Sequence, residues 1–120
     1  MELKEIVYKH IRETGGATVS SKGKLYNLKR GYAVGVAPDY TTEAWDYWIR
    51  ANINSFFNRV LPILCADPRN HMGIWIDNSD GKMYLDVSRI YDDLQEALDT
   101  AKQYGQKTIY DFKNKKVILL

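Results

Sequence analysis

The sequence predicts a single α+β domain, with a mixed or antiparallel sheet of about five or six short strands packed with about three helices. Three observations predict it. Apolar residues alternate along 72–76 and again along 83–87, with a turn signal between them. A capped amphipathic helix follows directly, and two earlier stretches carry apolar residues at helical spacing.

Taken in order, Leu3, Ile6, Val7, His10 and Ile11 recur at spacings of three and four, so one stripe of a first helix is buried, and Gly15-Gly16 stops it. Residues 17–19 and 32–36 are short β-prone runs. The polar stretch at 20–24 joins them, Leu25, Tyr26 and Leu28 lie on the returning side, and a loose hairpin closed by Pro38-Asp39 is expected. From Thr41 or Thr42 a second helix should carry Trp45, Trp48, Ile49, Ile53, Phe56, Phe57 and Val60 on one stripe, with Asn52 its polar exception. Pro62 marks its expected end, because proline disfavours helical geometry in the residue before it, and 63–70 reads as loop. Trp48 and Phe56 are the expected anchors of the core.

Met72, Ile74 and Ile76 then alternate with Gly73, Trp75 and Asp77, and Met83, Leu85 and Val87 alternate with Tyr84 and Asp86. Asp80-Gly81 supplies the turn, since glycine tolerates positive φ and aspartate bonds the backbone beyond it. Leu94, Ala97, Leu98, Ala101 and Tyr104 line one side of a helix over about 93–104. Asp92 and Asp93 stand three residues before Gln95 and Glu96, a capping-box spacing, and Gly105 suits the left-handed exit. A closing strand pair follows, turned by Lys113-Asn114-Lys115-Lys116. Trp75, Tyr84 and Tyr110 fall on the strand faces opposite the aliphatic set, where a covering layer is expected over them.

Composition narrows the classes. The chain has 120 residues and is 45% hydrophobic, enough for one core that removes roughly two-thirds of the unfolded surface from water. No apolar run approaches the ~18 residues of a membrane span, and 1–5 alternate charge without an apolar signal core, so a cytoplasmic protein with no membrane partner is expected. Cys65 is the only cysteine, which rules out an intrachain disulfide; its flanks Leu64 and Ala66 suggest a buried, inert thiol. His10 and His71 are the only histidines, and no His-x-Glu or His-Glu-x-x-His spacing accompanies them, so neither metal nor cofactor is expected. Residues 77–81 lack the closing glutamate of a calcium loop. With no nucleophile elbow, Walker lysine or distinctive carboxylate pair, the chain is not expected to be an enzyme.

Two charged edges remain as candidate contacts. Net charge is only +2, but the basic run Lys22, Lys24, Lys29 and Arg30 is interleaved with Tyr26 and Tyr32, as phosphate neutralisation and base stacking would require. The acidic edge holds Asp77, Asp92, Asp93 and Glu96. Both also read as ordinary solvated surface.

The run Gly73-Ile74-Trp75-Ile76, then Tyr84-Leu85-Asp86-Val87-Ser88, then Glu96-Ala97, then Gln106-Lys107-Thr108-Ile109-Tyr110-Asp111, resembles a small domain of unknown function from bacteriophage and mobile-element proteins. That family occurs alone and within large polyvalent proteins, and Gly15-Gly16-Ala17-Thr18 and Gly31-Tyr32-Ala33-Val34 fit its usual opening. The resemblance implies a phage setting and carries no catalytic residues. The expectation is a non-enzymatic binding protein of the host cytoplasm, with a host protein as partner, such as an inhibitor of a CRISPR defence. A nucleic-acid-binding accessory protein and a nucleotide-sequestering anti-defence protein are the alternatives.

Overall fold

The structure is a computed structural model that describes residues 3–14, 16–26, 28–76 and 81–120, without the side chains of 3–4, 12, 14 and 46–50. The turn at 77–80, with Asp77 and Asp80, and the side chains of Leu3, Trp48 and Ile49 therefore lie outside the described residues. The elements are α1 (Leu3–Thr14), β1 (Gly16–Val19), β2 (Tyr32–Gly35), β3 (Thr42–Ala44), α2 (Asp46–Ala66), β4 (Asn70–Ile76), β5 (Met83–Tyr91), α3 (Leu94–Gln103), β6 (Thr108–Asp111) and β7 (Lys116–Leu119). The seven strands form one antiparallel sheet in the order β1-β4-β5-β2-β6-β7, with β3 also paired to β5.

The alternating segments form the expected hairpin of β4 and β5, with Met72 opposite Val87, Ile74 opposite Leu85 and Ile76 opposite Met83. Met72, Ile74, Met83, Leu85 and Val87 are buried beneath Val7 and Ile11 of α1 and Ile53, Phe56, Val60 and Leu64 of α2. Further along the same face, Val34, Tyr91 and Ile109 pack with Ala97 and Ala101 of α3 as a second cluster. All three helices thus lie on one side of the sheet, because residues facing one way along a strand alternate with those facing the other.

α3 is fixed at both ends by its own sequence. The Asp93 carboxylate accepts from the Glu96 amide at 3.0 Å, filling one of the four donors that a helix start leaves unpaired, and Gly105 takes φ +66° at the exit. Asp93→Ala should lower the free energy of unfolding by about 1 kcal/mol in urea titration.

Four expectations are corrected. The runs at 17–19 and 32–36 do not pair. Ser20 turns the chain tightly, its hydroxyl accepting from the Lys22 and Lys24 amides at 3.2 and 3.3 Å, and Leu25 then bridges back to Val19. With β4 on one edge of β1 and Leu25 on the other, β2 pairs instead with β5 and β6. Next, residues 42–44 are a strand on β5, not the start of the helix, so α2 begins at Asp46 and Trp45, before it, is 49% exposed. Third, Pro62 does not end α2, which continues to Ala66. Pro62 itself is exposed, while Val60 and Leu64 on either side of it are fully buried, so burial of the last turns outweighs the hydrogen bond that proline cannot donate. Finally, that extension places Cys65 on the exposed side of the last turn, so it is not a core thiol.

The end of α2 is tied down by Asn70, which is only 3% exposed. Its Nδ2 donates to the Ile63 carbonyl at 2.8 Å, one of those left free at a helix end, and its Oδ1 accepts from Arg89 Nε at 2.9 Å. Arg89 Nε also lies 3.5 Å from the Asp67 carboxylate, which Arg69 grips at 2.8 Å. On the other side, Tyr91 Oη accepts from the Thr100 hydroxyl at 2.8 Å. Asn70→Ala removes the donor to the Ile63 carbonyl and the nearer of the two acceptors of Arg89 Nε. A loss of about 1 to 3 kcal/mol is expected, read by chemical denaturation.

Candidate functional site

The face of the sheet away from the helices carries Tyr84, Asp86, Ser88 and Ile90 of β5, and opposite them His71, Gly73 and Trp75 of β4 and Ala33 and Gly35 of β2. No described helix lies over it. Trp75 and Tyr110 are 43% and 36% exposed, and Val117 and Leu119 beside Tyr110 are exposed as well. The covering layer expected over the aromatic residues is therefore absent among the described residues: α1, α2 and α3 all pack on the aliphatic side.

In place of a covering layer, the aromatic rings cover one another. Trp75 and Tyr84, directly opposite in register, stack with centroids 4.3 Å apart and planes 11° from parallel. Four residues back along β4, Tyr26 meets His71 edge-on at 5.2 Å. His71 Nδ1 is 2.8 Å from the Arg69 carbonyl; an acceptor there requires Nδ1 to carry hydrogen, leaving Nε2 as the acceptor of the neutral ring. Between the two aromatic pairs lies a row of small residues, Thr18 and Gly73, ending on Asp86. The Asp86 carboxylate folds over Gly73, where any Cβ would collide with Oδ1. Desolvation raises its pKa to about 6, opposed only by a hydrogen bond from Ser88 Oγ at 3.5 Å. At the far rim Lys82 Nζ pairs with Glu43 at 2.7 Å and sits 5.0 Å over the Trp45 ring.

A second concavity, a polar cleft of about 300 Å³, opens where β2 and β6 meet the start of α3. Arg30, Gly31, Tyr32, Asp92, Asp111, Lys113 and Asn114 line it. Asp111 is committed to the β6–β7 turn, accepting from Asn114 Nδ2 at 2.7 Å and from the Lys113 and Asn114 amides at 3.0 and 3.2 Å; the Asn114 side chain foremost holds its pKa below the usual value. Gly31, at φ +100°, passes close to the Tyr91 carbonyl and accepts from the Phe112 amide at 3.0 Å.

The structure brings together three of the residues singled out from sequence, Arg30, Tyr32 and Asp92, all at this cleft. The others disperse. Lys22 and Lys24 sit at the Ser20 turn, Tyr26 crosses to His71, Lys29 lies exposed ahead of the cleft, and Asp93 and Glu96 are engaged at the start of α3. Sequence reasoning missed Gly73 and Asp86. Their signal was present in the alternation, because the residues out of phase with the aliphatic set include Asp86, next but one to Tyr84, and a glycine between His71 and Trp75.

Among the described residues no three His, Cys, Asp or Glu side chains converge to hold a metal ion, and no helix is long and apolar enough to cross a membrane. Comparison of the chain with protein families, with curated proteins and with solved structures finds no match.

Proposed function

We propose that this chain is a non-enzymatic binding protein that engages a partner protein through the uncovered face of its sheet. The observation that carries the reading is the Trp75–Tyr84 stack, with Trp75 exposed, on a face that no described helix covers, continued by Tyr110, Val117 and Leu119 at the other end. Exposed apolar ground of this kind, rich in tryptophan and tyrosine, is the composition of binding hot spots. The phage setting and an inhibited host defence protein come from the family resemblance alone, and they say where to look for the partner.

The test is affinity purification from the bacterial host, identification of the retained protein, and reassembly of the complex from the two purified components. The double variant Trp75→Ala/Tyr84→Ala should bind the purified partner at least about tenfold more weakly while keeping the wild-type circular dichroism spectrum. Equal affinity of the double variant would refute the assignment of this face.

A second reading, nucleotide capture, is favoured by the polar cleft, whose Arg30 and Lys113 would meet phosphate and whose Tyr32 would meet a base. It predicts release of an intact nucleotide on denaturation, and weaker binding in Arg30→Ala. A nucleic-acid reading predicts salt-dependent retardation that is lost when Lys22, Lys24, Lys29 and Arg30 become alanine.

A further inference from the structure

We propose that β7 is a self-pairing edge, through which two copies of this chain join antiparallel into one continuous sheet about a two-fold axis at Ile118; this goes beyond the partner-binding reading and does not depend on it. The backbone carries it. Among the described residues β7 ends the strand order and pairs with β6 alone. The Leu120 amide donates to the Lys107 carbonyl at 3.0 Å, and the Phe112 amide donates to the Gly31 carbonyl at 3.0 Å. Antiparallel ladders alternate hydrogen-bonded and non-hydrogen-bonded pairs, so these bonds fix the phase on both sides of β6: Lys116 and Ile118 aim their N–H and C=O groups at β6, and Val117 and Leu119 aim theirs off the edge. Val117 and Leu119 are 57% and 81% exposed, and neither proline nor charge stands among 117–120. An edge with open backbone groups and apolar side chains is a template for another strand. The other edges suit this less. Along β1 the Tyr26 amide donates to the Thr18 carbonyl at 2.9 Å and Leu25 bridges Val19, while β3 is three residues long with Glu43 at its centre.

The occupant is a second copy because β7 is complementary to itself in one register. Within β7 only Val117 and Leu119 offer outward backbone groups, so antiparallel pairing that uses both sets Val117 opposite Leu119 of the second copy, and Leu119 opposite its Val117, as the hydrogen-bonded pairs. Ile118 then faces Ile118 across the axis, in the closer, non-hydrogen-bonded pair. Sliding the register two residues toward the turn would set Leu119 against Lys115, which at φ +53° is not extended. Charge agrees with this choice. Lys116 falls opposite Leu120 of the second copy, Lys113 and Lys115 lie outside the paired segment, and like charges never stand face to face. A charged partner strand would find no opposite charge between Val117 and Leu120. Both faces of the sheet gain apolar contact. On the uncovered side Val117 and Leu119 of each copy meet beside Tyr110, and on the helix side Ile118, already packed on the cluster under α3, carries that cluster across to the second copy. The two-fold uses up the edge of each chain, so the assembly closes at two copies.

Sedimentation of the purified chain from about 10 µM to about 1 mM should show a shift from one chain mass to twice that mass. Amide exchange at the upper concentration should slow most at Val117 and Leu119, since Ile118 and Leu120 are already bonded within the chain. Val117→Lys/Leu119→Lys sets lysine opposite lysine in both hydrogen-bonded pairs and should raise the dimer dissociation constant by about tenfold or more, as should Val117→Glu/Leu119→Glu. An equimolar mixture of the two variants should restore the dimer, which misfolded variants could not do. Trp75→Ala/Tyr84→Ala should leave it unchanged, because β4 and β5 lie beyond β2 and β6 from this edge. A single chain mass throughout, a dimer that the lysine variant leaves intact, a mixture that stays monomeric, or loss of the dimer in Trp75→Ala/Tyr84→Ala would each overturn the edge pairing. Protection of Val117 and Leu119 that appears only with the purified partner would overturn it too, and would assign the edge to that partner.

Discussion

Phe56→Ala should lower the free energy of unfolding by about 3 to 5 kcal/mol, the range for emptying a buried aromatic site. Phe56 is 4% exposed and lies between Ile53 and Val60 on the stripe of α2 that covers β4 and β5. The cavity it leaves would be walled by the sheet on one side and the helix on the other, neither of which can close far without unpacking the rest. Trp45, which the helical spacing places on the same stripe, is half exposed before α2 begins, so Trp45→Ala should cost well under half as much. Urea unfolding of the two variants side by side checks both numbers.

Asp86→Asn should stabilise the protein at neutral pH and change the shape of its pH profile. The folded carboxylate titrates near 6, above its unfolded value of 3.8, so between these values the native state holds a proton that the unfolded chain has released. Stability conferred by the protonated form is complete below the unfolded value and is lost as pH rises through about 6. The charged form costs up to roughly 3 kcal/mol above that point, and asparagine removes the cost. Asp67 has the opposite sign. The Arg69 guanidinium, foremost, holds its pKa down to about 2, so its contribution is present above 3.8 and is lost as pH falls toward 2. Wild-type stability should therefore rise as pH is lowered from 7 toward 4 and fall below that, while Asp86→Asn should lose the rise and keep the fall. Thermal melts from pH 3 to 8 would show it, and a profile unchanged by Asp86→Asn would contradict the burial of the charge.

The hairpin of β4 and β5, the capped α3 and the stripe of α1 were legible in the sequence because each is specified within a dozen residues by alternation, spacing and caps. The misreadings are those in which distant contacts decide. Nothing near residues 17–19 says that Leu25 will occupy their free edge, and nothing near Pro62 says that Val60 and Leu64 will be held by β4 strongly enough to carry the helix past it. Of the candidate site, the aromatic residues were visible and their exposure was not, since alternation tells which residues share a face but not what lies above it. Asp86 was hidden by register. A two-residue turn at Asp80-Gly81 would set it opposite Trp75, whereas the observed pairing shifts by two and sets it opposite Gly73, without changing which face it occupies.

Arg89 interrupts the buried row of β5 between Val87 and Tyr91, and its bonds to Asn70 and Asp67 divide the interior into two apolar clusters that share that strand. Cooperativity should be graded accordingly. The smaller cluster, under α3, β6 and β7, can open while α1 and α2 hold the larger one in place, with β5 as the common spine. Hydrogen–deuterium exchange should then sort the backbone into two sets, with the amides of β6 and β7 exchanging through a smaller opening free energy than those of β4. A partner bound on the uncovered face of β4 and β5, which backs onto the larger cluster, should slow exchange mainly in the set that is already the more protected.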